Sequence, residues 1–153
     1  MDKPMQIALR TASTQDFEYC KRLYFTGMTK IIEELHLDMA AQAVSFREQW
    51  VLTQVRIITF DSFDVGWFQT TIQDDVLFVA QLFVDGPFQR KGIGTEVMHR
   101  LIGEATRLNQ AVCLAVVKIN PALRLYERLG FQITHEDDRK FYKNRNPDSA
   151  AST

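Results

Sequence analysis

Two apolar segments separated by a helical pattern constrain the fold of this chain most. Residues 76–84 (VLFVAQLFV) and 111–117 (AVCLAVV) are rich in β-branched, aromatic and other apolar residues, which is typical of strands. The second run is uninterrupted, which predicts a strand covered on both sides. Between them, apolar residues recur at three- and four-residue steps, and this spacing predicts a helix over about 92–108.

Shorter strands flank this unit on both sides. Upstream, residues 51–60 (VLTQVRIITF) and 65–72 (VGWFQTTI) are also rich in β-branched and aromatic residues, and short polar segments separate them. With 76–84 they predict a three-stranded meander of hairpins. Downstream, residues 131–135 and 139–144 predict two further strands on either side of a turn.

Three more helical segments complete the pattern. A capping-box sequence at Ser13 begins the first helix, whose apolar residues recur at helical spacing as far as Leu35. We expect this helix to break or bend near Gly27. A second helical stretch is predicted over about 38–50. A third helix is predicted to begin at Asn120, an N-cap residue followed by proline at the first helical position.

The order of these elements predicts the fold class. With a short strand over 6–10, the order is β, α, α, β, β, β, α, β, α, β, β. Hairpin strands followed by alternating helices and strands imply an α/β (α+β) fold, with a mixed, mostly antiparallel central sheet of about seven strands and helices on both faces. The length of 153 residues fits one domain, which we place at 1–145, with a disordered tail over 146–153.

Composition excludes several classes of protein. The formal net charge of −1, from 18 Lys and Arg against 19 Asp and Glu, argues against a protein that binds nucleic acid mainly through phosphates. No apolar run reaches the ~20 residues that cross a bilayer, and Met1–Arg10 lacks the apolar core of a signal peptide. Cys20 and Cys113 have no partners at metal-ligand spacing, so we expect small core residues in a reducing cytoplasm. The expectation is a cytoplasmic protein with no metal, no nucleic acid and no membrane among its partners.

The segment 84–95 (VDGPFQRKGIGT), between a buried strand and a helix, is the most informative for function. The first amides of a helix lack partners within the helix and, together with the helix dipole, form a site for phosphate. Gly92 and Gly94 would let a diphosphate approach the backbone, and Arg90 and Lys91 add positive charge. A dinucleotide-binding fingerprint is excluded because Val97 occupies the position of its third glycine, and a Walker loop because no Gly-Lys-Ser/Thr triplet follows. A tight turn that binds nothing stays open at this point.

The segment 120–131 (NPALRLYERLGF) also carries two interpretations. It is a well-capped amphipathic helix in which Tyr126 is a half-buried aromatic residue. Alternatively, the hydroxyl of Tyr126 is a proton donor, because its ordinary pKa near 10 keeps it protonated at neutral pH. Such a donor suits protonation of a leaving thiolate.

Together the two segments resemble the GNAT superfamily of N-acetyltransferases. The loop signature of this family, Gln/Arg-x-x-Gly-x-Gly/Ala after a strand, is matched by Gln89, Gly92 and Gly94. Its downstream segment, Asn…Tyr-Glu-x-x-Gly-Phe, is matched by Asn120, Tyr126, Gly130 and Phe131. The resemblance covers about 51–143 in order and spacing, and 6–50 in predicted secondary structure only. One departure is Gly86, which stands where the family usually has proline; here Pro87 follows.

The resemblance implies transfer of an acetyl group from acetyl-CoA, as co-substrate, to a primary amine by direct attack in a ternary complex. It implies that the diphosphate binds the amides of Gln89, Arg90, Lys91, Gly92, Ile93, Gly94 and Thr95. The pantetheine arm would pair like an added strand with Leu82, Phe83 and Val84, and an amide at Leu82 or Phe83 would polarise the thioester carbonyl. Asn120 would hold the cofactor arm, and Tyr126 would protonate the departing sulfur.

The general base and the acceptor stay open. A primary amine is mostly protonated at pH 7, so a base or a water chain is expected. The candidates are Glu33, Glu34 and His36, with Gln81 as a residue that could orient a water. Trp50 and Trp67 either line an acceptor pocket or pack in the core. Acidic residues around 33–38 favour a cationic acceptor if they face the cleft.

Three further questions about function and assembly stay open in the sequence. The first is a catalytically inactive acyl-CoA-binding sensor or partner domain. The second is a homodimer, because this fold often pairs through its sheet edges or helices. The third concerns the basic and aromatic segment 139–145 (RKFYKNR), which we interpret as a strand with a solvated basic face rather than as a nucleic-acid surface.

Overall fold

The chain folds around a seven-stranded mixed sheet, and the computed structural model describes residues 6–147. The strands are β1 (Ile7–Thr11), β2 (Val55–Phe60), β3 (Phe63–Gln73), β4 (Val76–Val84), β5 (Ala111–Val117), β6 (Gln132–Glu136) and β7 (Lys140–Arg145). The helices are α1 (Phe17–Glu34), α2 (Met39–Gln49), α3 (Ile93–Arg107) and α4 (Leu123–Arg128).

The strand order is β1-β2-β3-β4-β5-β7-β6. The pairs β1–β2, β2–β3, β5–β7 and β6–β7 are antiparallel, whereas β4 and β5 are parallel. A parallel pair requires a crossover connection, and α3 lies in that connection. The predicted mixed, mostly antiparallel sheet is therefore confirmed.

One predicted strand begins later than expected. Residues 51–54 were predicted to open β2, but Leu52–Gln54 form a 3-10 turn, closed by a hydrogen bond from the Gln54 amide to the Val51 carbonyl at 2.9 Å. The Gln54 side chain accepts a hydrogen bond from Gln69 Nε2 at 2.9 Å. Because this side chain satisfies the buried amide of Gln69, the turn is fixed by tertiary contacts that a strand pattern does not reveal.

The chain divides into two compact units, which β3 and β4 both enter. The N-terminal unit comprises the chain up to Gln69 together with Gln81–Ile93, and the C-terminal unit comprises Thr70–Ala80 and the chain from Gly94 onward. The predicted single-domain boundary at residue 145 stays a prediction. Of the predicted tail, residues 148–153 lie outside the described residues.

The core of the N-terminal unit packs α1 and α2 against β2 and β3. Its buried members are Cys20, Leu23, Tyr24, Phe46, Val55, Ile57 and Trp67. The start of α1 is fixed by charge: Arg10 donates to both carboxylate oxygens of Asp16, at 2.8 and 3.0 Å, and the Ser13 amide donates to the same carboxylate at 2.8 Å. The hydrogen bonds from Arg10 hold the pKa of Asp16 at about 2.

The predicted break near Gly27 is wrong. Helix α1 runs without interruption from Phe17 to Glu34. A Cβ atom on Gly27 would lie 2.9 Å from Cδ1 and 3.0 Å from Cε1 of Phe83. The glycine therefore allows the helix to approach the Phe83 ring, and the lack of a side chain serves packing rather than a bend.

In the C-terminal unit, β5 is buried on one face only. Val112, Leu114 and Val116 are buried, whereas Ala115 on the other face is exposed and Cys113 is half-buried. The prediction that β5 is covered on both sides is therefore wrong. An uninterrupted apolar run satisfies a one-sided strand as well, because small residues such as alanine are tolerated on an open face.

The predicted solvated basic face of the segment 139–145 is confirmed at Arg139 and Lys140, which are exposed, but it is wrong at the next two basic residues. Lys143 and Arg145 are only 2% and 5% exposed. In the register of β5 with β7 they lie opposite Leu114 and Val112, so they share the buried face of β5. Arg145 Nε donates to the Leu129 carbonyl at 2.9 Å. β7 pairs with β5 on one side and with β6 on the other. The side chains on the face it shares with Val112 and Leu114 are therefore buried, even though they are basic.

Among residues 6–147, none of the helices combines the length and the apolar character that a membrane-spanning helix needs.

Candidate active site

The turn between β4 and α3 is organised by the side chain of Gln89. After β4 ends at Val84, Gly86–Phe88 form a 3-10 turn, and the Gln89 amide donates to the Gly86 carbonyl at 3.1 Å. Gln89 Nε2 then donates to the Val84 carbonyl at 2.8 Å. The first residue of the loop signature is thus bonded to the last residue of the strand, and the turn is anchored at its start.

Two residues of this turn adopt left-handed backbone conformations. Arg90 has φ +63° and Gly92 has φ +83°. A residue with a side chain is strained there, whereas glycine is not, which explains the glycine at 92. Arg90, Lys91 and Gly92 are exposed, and Ile93, the first residue of α3, is 2% exposed. The buried isoleucine fixes the start of α3, whose first amides have no partner within the helix.

The end of β4 is held by the N-terminal unit. Leu82, Phe83 and Val84 are all half-buried. The Phe83 ring stacks on Trp67, with centroids 5.6 Å apart, and lies edge-on to Tyr24, also at 5.6 Å. The strand end is therefore rigid, because a fully buried indole and a buried phenol hold its central side chain.

A second glycine lies against the backbone of the same strand end. A Cβ atom on Gly66 would lie 2.4 Å from the Phe83 carbonyl oxygen and 3.2 Å from the Val84 Cα. No real side chain fits at that distance. Gly66 therefore lets β3 and the end of β4 approach each other closely, a role that glycine inside a strand often has.

In the C-terminal unit, the pairing of β4 with β5 covers only four residue pairs. It runs from Val76 opposite Ala111 to Val79 opposite Leu114. β5 continues beyond the last of these pairs to Val117, and there its partner is β7.

Asn120 caps the turn that precedes α4. Its Oδ1 accepts a hydrogen bond from the Ala122 amide at 2.9 Å, and its carbonyl accepts one from the Leu123 amide at 3.2 Å. The helix begins at Leu123 rather than at Pro121 as predicted, because these bonds close a turn first. The Asn120 carboxamide still has its two N–H donors for a ligand.

Tyr126 lies on α4 and is half-buried. Its ring lies edge-on to Phe131, with centroids 5.9 Å apart. Gly130, which precedes Phe131 in the sequence, has φ +91°. Burial raises the pKa of Tyr126 above its ordinary value. The phenol therefore stays protonated across the physiological range and can act as a proton donor.

The candidate bases are distributed over two faces of α1 and the turn after it. Glu33 and His36 line a groove of about 460 Å³ together with Thr29, Ile32, Leu37 and Met39. Oε1 of Glu34 lies 3.9 Å from Nζ of Lys30, one turn earlier on the helix. Glu34 lies seven positions after Gly27, which places the two within about 20° of the same helix face, whereas Glu33 lies on a different one. Glu34 is thus the candidate that shares the face of α1 in contact with Phe83.

The two tryptophans belong to the core. Trp67 is fully buried against Phe46 and Phe83, and Trp50 packs edge-on against Phe17 at 5.3 Å. The sequence left open whether the two tryptophans line an acceptor pocket or pack in the core. Their ring contacts in the structure support core packing. The aromatic support of Phe83 was missed by sequence reasoning, although glycines at 27 and 66 inside regular elements were a signal for it.

Comparison with known proteins identifies the family. The profile of the Acetyltransferase (GNAT) domain matches residues 47–133, which include β2 to α4.

The chain belongs to the GNAT acetyltransferase family.

Membership of this family supports acetyl transfer from acetyl-CoA as the general reaction. No curated protein sequence is significantly similar to this chain.

Solved structures confirm the fold at low sequence identity. The PaiA N-acetyltransferase of Thermoplasma acidophilum, in complex with coenzyme A, superposes with a TM-score of 0.75 at 16% identity, covering 93% of this chain and 99% of that one. Ard1 of Thermoplasma volcanium gives 0.68 at 22% identity over 92% and 97%. The ribosomal-protein-S18-alanine N-acetyltransferase of Escherichia coli gives 0.67 at 17% identity over 97% and 98%. At these identities the likeness shows the GNAT fold alone.

Proposed function

We propose that this protein is an N-acetyltransferase that transfers the acetyl group of acetyl-CoA to a primary amine by direct attack in a ternary complex. The observation that carries the proposal is the turn before α3, with left-handed Arg90 and Gly92 and a buried Ile93. Such a turn presents consecutive amides to solvent at the positive end of a helix dipole. That arrangement suits the diphosphate of coenzyme A.

The residues of the turn fit a diphosphate in shape and in charge. Gly92 is exposed and has no side chain, so a phosphate can reach the backbone. Arg90 and Lys91 are exposed as well, so both cations are available to the phosphate oxygens. In the proposal the amides from Gln89 to Thr95 hold the diphosphate.

The end of β4 fits the pantetheine arm and the thioester. An extended arm can add to a strand through backbone hydrogen bonds, as peptides do at sheet edges. In the proposal it pairs with Leu82, Phe83 and Val84, beyond the four residue pairs that β4 makes with β5. An amide at Leu82 or Phe83 donates to the thioester carbonyl oxygen, which gains negative charge during attack.

Tyr126 completes the transfer as the acid. The amine nitrogen forms a bond to the carbonyl carbon, the carbon–sulfur bond breaks, and its electron pair goes to sulfur. The sulfur takes the proton of the Tyr126 hydroxyl, and the proton lost by the new amide is returned to the phenol through solvent or the base. The raised pKa of Tyr126 keeps this proton on the phenol before transfer. Asn120 holds the cofactor arm through its free N–H donors.

Ligand-induced stabilisation tests the binding half of the proposal. A ligand of the native state at about a hundredfold excess over its Kd adds about 2.7 kcal/mol. For a chain of this length the melting midpoint should rise by roughly 5–10 °C with acetyl-CoA. An unmoved melting curve at millimolar acetyl-CoA would contradict the assignment of the cofactor.

An acceptor screen tests the catalytic half. Release of the CoA thiol is followed with a panel of primary amines: polyamines, aminoglycosides, amino acids and peptide N-termini. The acidic Glu33 in the groove at the end of α1 favours the cationic members of the panel. Acetyl-CoA binding without thiol release for any amine would instead favour the inactive acyl-CoA-binding domain.

A further inference from the structure

The ring of Phe83 has close neighbours on three sides, although the residue as a whole is half-buried. It stacks on Trp67 at an interplanar angle of 29° and meets Tyr24 edge-on at 71°. On a third side is the backbone of α1, where a Cβ atom on Gly27 would lie 2.9 Å from the ring. These contacts fix the ring at one position, and all four residues belong to the N-terminal unit.

The two aromatic residues that enclose the ring are themselves held by packing in the core. Phe46 contacts both of them, with centroids 4.9 Å from Tyr24 and 5.9 Å from Trp67, and it is 4% exposed. Trp67 is fully buried. The backbone has no freedom either, because Gly66 is packed against the Phe83 carbonyl. The ring therefore resists displacement toward Trp67, Tyr24 and α1, since close-packed interiors resist added volume.

We propose that Phe83 restricts the acyl group of the donor to acetyl. This inference rests on the proposed function, in which an amide at Leu82 or Phe83 binds the thioester carbonyl oxygen. The carbon chain beyond that carbonyl then lies beside the side chains of the same two residues. Side chains alternate along a strand, so Leu82 and Phe83 flank it on opposite faces. On the face of Phe83 the fixed ring leaves no room for added methylenes.

Acyl-chain selectivity can be measured by binding alone, without knowledge of the amine acceptor. Isothermal titration gives Kd values of acetyl-CoA, propionyl-CoA, butyryl-CoA and free CoA for the wild-type protein, Phe83→Ala and Leu82→Ala. One methylene in a fitted apolar site changes discrimination by about 10- to 200-fold. We therefore expect wild-type protein to bind butyryl-CoA at least about tenfold more weakly than acetyl-CoA. In Phe83→Ala this ratio should fall to about one.

The ratio of the two Kd values is the readout, so a general weakening of cofactor binding cancels. Phe83→Leu, which leaves a smaller hole, serves if Phe83→Ala does not fold, and it should lower the ratio partway. Leu82→Ala is the matched control on the opposite face and should keep the wild-type ratio.

Three results would overturn the inference while leaving the proposed function intact. They are a wild-type ratio near one, an unchanged ratio in the Phe83 variants, or a ratio that falls in Leu82→Ala instead. If none of the four ligands binds wild-type protein, the proposed function itself is contradicted.

Discussion

The turn before α3 follows the end of β4, whereas the aromatic cluster around Phe83 includes a residue of β4 itself, and the two are built in different ways. In the turn, the side chains of Arg90 and Lys91 are exposed; its shape comes from the backbone at Arg90 and Gly92 and from the hydrogen bond of the Gln89 side chain to the Val84 carbonyl. In the cluster, the rings of Tyr24, Trp67 and Phe83 contact one another and fix the strand by packing.

The difference indicates that the two parts of the proposed donor site recognise different parts of the acyl-CoA molecule. A site made of amides recognises what all acyl-CoA molecules share, because the diphosphate is the same whatever the acyl group. A site made of rigid side chains recognises shape and can discriminate between acyl groups. Substitutions in the turn should therefore act through backbone conformation, and substitutions in the cluster through volume.

The largest expected effect comes from Gly92→Glu. A side chain at φ +83° is strained, and its bulk and negative charge oppose the diphosphate. We expect affinity for acetyl-CoA to fall at least about 100-fold, equivalent to about 2.7 kcal/mol. Titration calorimetry measures the loss.

Gly86→Ala is the matched control in the same turn. A Cβ atom on Gly86 meets nothing within 4 Å, so this variant should bind acetyl-CoA like the wild-type protein. A folded Gly92→Glu variant with wild-type affinity would remove the turn from the donor site.

Tyr126→Phe should separate chemistry from binding. The variant keeps the ring that packs on Phe131 and loses only the hydroxyl. We expect kcat to fall about 100-fold, the low end for a general acid, because a thiol is a tolerable leaving group. The KM for acetyl-CoA should change little.

The pH profile adds a check on the same residue. Because burial raises the pKa of Tyr126, the acid is lost only at a pH above its ordinary value near 10. Wild-type kcat should therefore show no decline due to this group between pH 7 and about 9. A wild-type turnover rate in Tyr126→Phe, with chemistry rate-limiting, would leave Tyr126 a packing residue.

Asp16→Asn should destabilise the start of α1, the helix that carries Tyr24 of the aromatic cluster. It should leave the turn before α3 unchanged. It removes the charge that Arg10 and the Ser13 amide bind at the start of α1. The carboxylate is 11% exposed but Arg10 is 39% exposed, so we expect a loss of about 1–2 kcal/mol in the free energy of unfolding. Urea denaturation measures it.

The sign of the pH dependence follows from the same pair. The folded pKa of Asp16, about 2, is below its ordinary value of 3.8. Its contribution to stability is therefore complete above about pH 4 and is lost as the pH falls from 4 to 2. In Asp16→Asn this part of the acid dependence should disappear, and an unchanged acid profile would contradict it.

Arg90→Gly should have the smallest effect. It keeps the left-handed conformation, which glycine adopts without strain, and removes one exposed charge. If the amides carry the binding, acetyl-CoA affinity should fall only about two- to fivefold, as for a solvent-exposed charge. A loss comparable to that of Gly92→Glu would show that side-chain charge, and not the backbone, holds the diphosphate.

The sequence alone predicted the elements whose signals are local. β4 and β5 have the predicted bounds because segments dominated by apolar residues end at polar residues on both sides. The turn at 89–93 was recognisable because glycines stand at 92 and 94, where the predicted helix begins, and Gly92 does adopt a left-handed conformation with φ +83°. The GNAT resemblance followed from two such short segments at the right spacing, and the family comparison confirmed it.

Only the tertiary structure decided what depends on distant neighbours. Lys143 and Arg145 look like surface residues in sequence, yet they are buried because β7 pairs on both sides and places them opposite Leu114 and Val112. Gly27 looks like a helix breaker, yet it leaves room for the ring of Phe83, 56 residues away along the chain. A sequence pattern records the local preference of the backbone. Burial and close approach depend instead on which surfaces meet, and packing overrides the local preference when they do.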